Sequence, residues 1–356
     1  MRRTACGDWP SSLGCQKRHS SMFSMIAMSP ASKCSGECRS LTLTAIKVKA
    51  EVMNVLIVKL GATGDVVRTT PLLSQLRGQI TWITARKNTV LLENLTDSLR
   101  CFSWEQRQLI PDIHYDLIIN LEDSLEVGLY LKTLEFKQLF GAYVDSNSEV
   151  RYSDDSRGWF DLSLISTYGR ERADELKLRN RRTYQDLIFD GLGFCFDGQP
   201  YLLPKPIETP LSGDVAIAAA AGEVWPMKKW AYCDELKRRL ESHGLTVNVL
   251  PERSSLLEHL CDVENHRCLV GGDSLPMHFA LGTGTRCVTL FNCTSPWEIY
   301  DYGVQKKIVS PLLHEFFYKR GYDERATTAI TIDEVSRALV IQLEAAVPVA
   351  DPSTAK

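Results

Sequence analysis

The sequence predicts an α/β protein made of two halves, each a parallel sheet flanked by helices. Two observations predict it. The first is a repeated grammar of apolar strand, glycine-containing turn and amphipathic helix, which begins at Asn54 and again at Val215. The second is the punctuation between the halves, where Pro204, Pro206 and Pro210 mark an interdomain linker.

In the first half, Val55-Leu56-Ile57-Val58 reads as a buried strand and Gly61-Ala62-Thr63-Gly64-Asp65 as the turn after it. A helical stretch then runs through Arg77, followed by a strand at 80–84, a helix at 88–95 and a strand at 117–120. Residues 144–182 are polar and less regular, and a helix follows at 184–192. The second half repeats the pattern with a strand at 215–218, Gly222 in the turn and a helix at 232–242. Strands at 246–250, 268–270 and 287–291 follow, with helices between them. Thr331-Ile332-Asp333-Glu334 is a capping box that opens a C-terminal helix. The expected organisation is thus a first domain at 53–205, a second at 206–330, the helix at 331–346 and a frayed tail at 347–356.

Residues 1–52 do not conform. The first 50 carry eight Lys/Arg against two Asp/Glu, so the net charge of −3 for the chain hides a body at −9. They also hold nine serines and no periodicity. Three readings stay open: a transit peptide, a disordered tail, or a mis-assigned start upstream of Met53. The acidic body excludes a nucleic-acid protein, whose footprint is basic. No apolar run approaches the roughly 20 residues of a membrane helix. The body cysteines form no C-x-x-C pair and the histidines lack ligand spacing, which points to a reducing cytoplasmic setting without a metal.

Three loops carry candidate chemistry. The first lacks both the G-x-G-x-x-G fingerprint and a G-K-[ST] ending, which disfavours a dinucleotide oxidoreductase and a nucleotide hydrolase. It places Asp65 at a helix start. That residue is either a helix N-terminal acid favoured by the dipole or a general base facing a cleft. The second, Gly271-Gly272-Asp273-Ser274-Leu275-Pro276-Met277-His278, also opens a helix. Its main-chain N–H groups suit phosphate oxygens and Asp273 suits sugar hydroxyls, the glycines allowing a ligand to approach; equally, Asp273-Ser274 is an N-cap and His278 a packing residue. The third, Trp225-Pro226-Met227-Lys228-Lys229-Trp230, offers the Lys228 point charge to a diphosphate, with the tryptophans as packing residues. A further loop through Thr294 lies on the same carboxyl edge, where open α/β sheets bind ligands.

Together, L-I-V-K-L-G-A-T-G-D-V-V-R-T-T-P-L-L, W-P-M-K-K-W, G-G-D-S-L-P-M-H and F-N-C-T-S-P resemble the family 9 glycosyltransferases, the ADP-heptose:lipopolysaccharide heptosyltransferases and their relatives, over about residues 53–345. The resemblance implies a GT-B architecture: two Rossmann-like domains with the active site in the cleft between them and a closing C-terminal helix. It implies an inverting, metal-independent transfer of heptose or a related sugar from a nucleotide sugar, ADP-heptose, to a lipopolysaccharide core or other glycan, lipid-linked in the membrane. Asp65 would be the catalytic base. Lys228, Gly272, Asp273, Ser274, Leu275, Pro276, His278 and Thr294 would hold the donor, with Gly61, Thr63 and Gly64 in the acceptor or phosphate loop. No cofactor is implied. The alternative is a catalytically inactive nucleotide-sugar-binding protein of the same fold.

The pattern departs from the family at Ala219-Ala220-Ala221, at Asn292, and at residues 250–255, which pass directly from strand to helix where many members have a further strand–helix unit and a ribose-binding acid. Glu252 is the candidate for that acid. Lys177, Arg179, Arg181 and Arg182 form a basic cluster, read either as a peripheral contact with anionic lipid on the inner membrane or as a solvated helix face. None of the candidate site residues lies in 1–52. Deleting 1–52 is expected to preserve transfer activity; a loss of transfer on deletion would show that the leader belongs to the enzyme.

Overall fold

Every side chain of Val55-Leu56-Ile57-Val58 is fully buried. An uninterrupted apolar run of this kind is what a parallel strand covered by helices on both faces requires. It forms the centre of a sheet composed of β1 (Asn54–Val58), β2 (Gln79–Thr84), β3 (Leu99–Ser103), β4 (Tyr115–Asn120), β5 (Phe136–Val144) and β6 (Val150–Tyr152). The order is β3-β2-β1-β4-β5-β6, parallel except for the antiparallel edge strand β6. The computed structural model describes residues 53–160 and 169–345, all within one compact unit, Ala50–Lys356.

The second sheet contains β7 (Gly213–Ala218), β8 (Val247–Val249), β9 (His266–Gly272), β10 (Arg286–Phe291) and β11 (Gln305–Val309). Its order is β11-β10-β9-β7-β8, parallel throughout. Each sheet reverses its winding once, between β1 and β4 and between β7 and β9, which leaves a crevice at the carboxyl ends of those strands. Residues 250–255 join β8 to the next helix without an added strand, as the sequence indicated.

The main helices are α1 (Thr63–Thr69), α2 (Leu125–Leu131), α3 (Arg170–Arg179), α4 (Tyr184–Gly191), α5 (Cys233–Glu241), α6 (Leu256–Glu264), α7 (Leu275–Thr283) and α8 (Ile332–Glu344). Two expected helices are shorter. The stretch expected to run through Arg77 ends at Thr69, because Pro71 cannot donate to an α-helical ladder and starts a tighter turn over Thr70–Ser74. The stretch at 88–95 is a turn of 3₁₀ helix, Arg86–Leu91. The capping box is present: Thr331 Oγ1 accepts from the Glu334 N–H, and the Glu334 carboxylate accepts from the Thr331 N–H at 3.0 Å. Val335, Ala338 and Leu339 of α8 pack into the core of the second sheet. The leader at 1–52, the tail at 347–356 and the last residue of the expected C-terminal helix lie outside the described residues.

The halves share one apolar seam, in which Val67 and Leu91 of the first pack with Leu260, Met277, Phe279 and Ala280 of the second. Gly64 of α1 meets the His278 ring of α7. A Cβ there would lie 2.6 Å from Cδ2 of His278, a ring that is 4% exposed and has little room to yield. Glycine therefore sets how closely α1 approaches α7. Gly64→Ala is expected to destabilise the protein by about 1–3 kcal/mol through overpacking. A thermal melt should show the lower Tm, and His278→Ala in the same chain should recover most of it.

Candidate active site

The carboxyl-edge loops of both sheets surround a cavity of about 390 Å3. One wall comes from the loops after β1 and β4, with α1. The other comes from the loops after β7, β9 and β10, with the start of α7.

On the first wall Glu122, just past β4, ties down the turn after β1. Its Oε1 accepts from Lys59 Nζ at 2.9 Å, the Leu60 N–H at 2.8 Å and the Gly61 N–H at 3.3 Å. Asn88 supports the turn from behind by donating to the Leu60 carbonyl and accepting from Thr63 Oγ1, both at 2.8 Å. Asp65 then projects from the first turn of α1, with Arg68 Nη2 at 2.8 Å and Lys59 Nζ at 3.9 Å. Burial pushes its carboxyl up, but the charges of Arg68 and Lys59 outweigh burial and hold it below the usual carboxylate range. Asp65 is thus ionised at neutral pH. Arg68 stacks on the Tyr184 ring, 3.9 Å from its centroid.

On the second wall Lys228 Nζ donates to the Asp273 carbonyl at 2.7 Å and to its carboxylate at 3.2 Å. Burial opposes ionisation of Asp273; the Lys228, His278 and Arg68 charges and a hydrogen bond from Thr294 overcome it and bring the carboxyl down to about 2. Ser274 and Leu275 open α7 at the cavity wall, so the positive end of that helix faces the cavity. His278, one turn on, is pushed down to about 4 by burial and by Arg68, which leaves a neutral imidazole at pH 7. Its Nδ1 lies 3.4 Å from the Tyr201 hydroxyl.

The structure gathers Gly64, Asp65, Lys228, Asp273, Ser274, Leu275 and His278 around one cavity. Five other sequence candidates are not part of its lining. Thr63 holds Asn88, Thr294 braces Asp273, Pro276 starts α7, and Gly61 lies in the turn that Glu122 caps. Gly272 does not leave space for a ligand: a Cβ there would meet the Lys228 carbonyl at 2.6 Å, and one at Gly271 would meet Ala218 Cβ at 2.7 Å. The glycine pair lets the chain pack on itself. Glu252 is exposed and does not line the cavity. Trp230 is a packing residue, buried with its Nε1 donating to the Ile330 carbonyl, whereas Trp225 forms part of the cavity wall.

Sequence reasoning did not assign Arg68 or Glu298. Arg68 stands three residues after Asp65 on α1, a spacing that marks it as a partner for that acid. Glu298 follows β10 on the carboxyl edge and is 5% exposed, with Oε2 4.0 Å from Arg68 Nη1. Burial pushes its carboxyl above the usual range despite Lys177 and Arg68.

Comparison with solved structures decides the architecture. The glycosyl transferase family 9 protein from Veillonella parvula superimposes with a TM-score of 0.59 at 14% identity, over 83% of this chain and 98% of that one. The fold is that of the family 9 glycosyltransferases. The E. coli heptosyltransferase WaaC with ADP-2-deoxy-2-fluoro heptose gives 0.52 at 14% identity, over 81% and 99%. The E. coli ADP-heptose lps heptosyltransferase II gives 0.52 at 15%, over 82% and 100%. No protein-family model matches the sequence, and no curated protein does.

The shifts at His278 and Asp273 predict how stability responds to acid. A folded-state pKa of about 4 against an ordinary 6.5 means that the His278 contribution is complete above pH 6.5 and is lost as pH falls toward 4. Asp273, lowered from 3.8 to about 2, is lost only below that window. Melting temperature against pH should therefore fall between pH 6.5 and 4, and His278→Gln should flatten that limb; an unaltered limb would show that another group carries it.

Proposed function

We propose that the chain is an inverting glycosyltransferase that moves heptose or a related sugar from a nucleotide diphosphate sugar, ADP-heptose, to a hydroxyl of a lipopolysaccharide core or other surface glycan. One observation carries the reading. A carboxylate, Asp65, and a lysine at the start of a helix wall, Lys228 beside α7, belong to different halves yet line the same cavity.

The chemistry divides between the walls. Asp65 accepts the proton of the acceptor hydroxyl, whose oxygen attacks the anomeric carbon on the face opposite the diphosphate and inverts it. The bond from that carbon to the diphosphate breaks through an oxocarbenium-like state, and negative charge grows on the leaving group. The Lys228 ammonium has three N–H bonds and spends two on Asp273, so the third is free for a phosphate oxygen. The start of α7 supplies the rest of the stabilisation. In this reading no metal or cofactor takes part. The protein works in the cytoplasm and meets the inner membrane peripherally, through a lipid-linked acceptor. Among the described residues no helix is long and apolar enough to cross a membrane.

A binding-only protein of the same fold is the second reading. The 2.8 Å pair between Asp65 and Arg68 favours it, because an ion-paired carboxylate is a weaker base. One pair of variants separates the two. Asp65→Ala should lower transfer from ADP-heptose to a lipopolysaccharide acceptor by roughly 10²–10⁴-fold while leaving donor binding intact. Lys228→Ala should weaken donor binding itself. Full transfer by the Asp65→Ala protein would remove that residue as the base, and donor binding by the wild type with no transfer would leave the binding-only reading.

A further inference from the structure

Three polar atoms of cavity-lining residues have no hydrogen-bond partner among the described residues: Nε of Arg68 on the first wall and, on the second, Oε1 of Glu298 and Oγ of Ser295. Glu298 and Ser295 are almost fully buried, at 5% and 2% exposed. A buried carboxylate oxygen without a donor is costly, and so is a buried hydroxyl left unpaired. Most buried polar side-chain atoms are paired with protein or water, and here the unpaired ones on the second wall border a cavity that can admit a partner. Beside them stand aromatic rings: Tyr318, whose N–H donates to the Cys293 carbonyl of the same loop at 2.8 Å, is packed edge-on against Trp225 with centroids 5.3 Å apart, and both rings line the cavity. A carboxylate that accepts, a hydroxyl that does either, and a ring for C–H faces to lie on together match a sugar with neighbouring hydroxyls.

The loop also indicates which sugar. Ser295 and Glu298 follow β10, which pairs directly with β9 in the register Leu290 to Gly272. Thr294 of the same loop bonds the Asp273 side chain. The loop therefore belongs to the wall that carries Lys228 and the start of α7, where the diphosphate is placed. Tyr184 of the first half donates its N–H to the Glu298 carbonyl at 3.0 Å, which fixes the loop where the two halves meet. We propose that Glu298 and Ser295 form the hydroxyl-recognition position for the transferred sugar and select it by adjacent hydroxyls. This rests on the glycosyltransferase reading of the cavity.

The test is calorimetry with matched pairs: ADP and ADP-heptose, UDP and UDP-glucose, GDP and GDP-mannose. The wild type should bind one nucleotide sugar more tightly than its bare nucleotide. Glu298→Gln should keep the affinity for the bare nucleotide and reduce the extra affinity due to the sugar by roughly tenfold or more. Ser295→Ala should reduce it in the same direction, and because its Oγ has no partner in the protein this variant does not put folding at stake. If both variants keep the sugar-dependent gain, the inference is overturned and the glycosyltransferase reading stands. If the wild type binds none of the six ligands, that reading falls and the inference with it.

Discussion

The site depends on one guanidinium. Of the five carboxylates that line the cavity, Asp65, Asp273 and Glu298 act on this one group, and like charges in a partly desolvated space repel strongly. Arg68 stands among them, 2.8 Å from Asp65 and 4.0 Å from Glu298, and its charge helps to depress the carboxyl of Asp273. Burial alone would favour its neutral form, but these acids hold it protonated. Its position is fixed from the first half: Tyr184 stacks against it, and Gln185 Nε2 donates to its carbonyl at 3.0 Å. Lys59 with Glu122 and Lys228 with Asp273 then balance the two ends of the cavity.

That arrangement requires the halves to meet closely, and the apolar seam supplies the contact. Gly64 has no side chain to hold His278 away, so α1 and α7 approach until Asp65 and Asp273 face one space. The same approach buries His278 against Arg68 and keeps its ring neutral. The seam joins the halves directly, and both halves line the cavity.

Much of the fold was legible because its central strands are unbroken apolar runs that end in glycine turns. The strands that were missed are those whose burial does not show in their composition. β11 reads Gln-Lys-Lys-Ile-Val and lies at the edge of its sheet, where charged residues are expected. β5 begins with three exposed residues, and β3 alternates too weakly to stand out. In the site, Asp65, Lys228 and Asp273 were legible from motif and position. Arg68 and Glu298 were not, since an arginine one turn from an aspartate and an acid in a loop are both ordinary surface features until tertiary packing buries them. The basic cluster shows the converse. Lys177 turns into the cavity 4.1 Å from the Tyr318 ring centroid, Arg181 stacks on Trp297 at 3.8 Å and Arg182 pairs with Asp190, so the run is no single surface patch.

In the proposed reaction one cavity holds the donor against the second half with its anomeric carbon turned toward the first. The position of ADP-heptose in a crystal of the complex measures this directly. The diphosphate should lie on Lys228 and the start of α7, the sugar beside Asp273, with space for a single hydroxyl between the anomeric carbon and Asp65. A nucleotide sugar seated outside this cavity, or with its anomeric carbon turned away from Asp65, would contradict that placement.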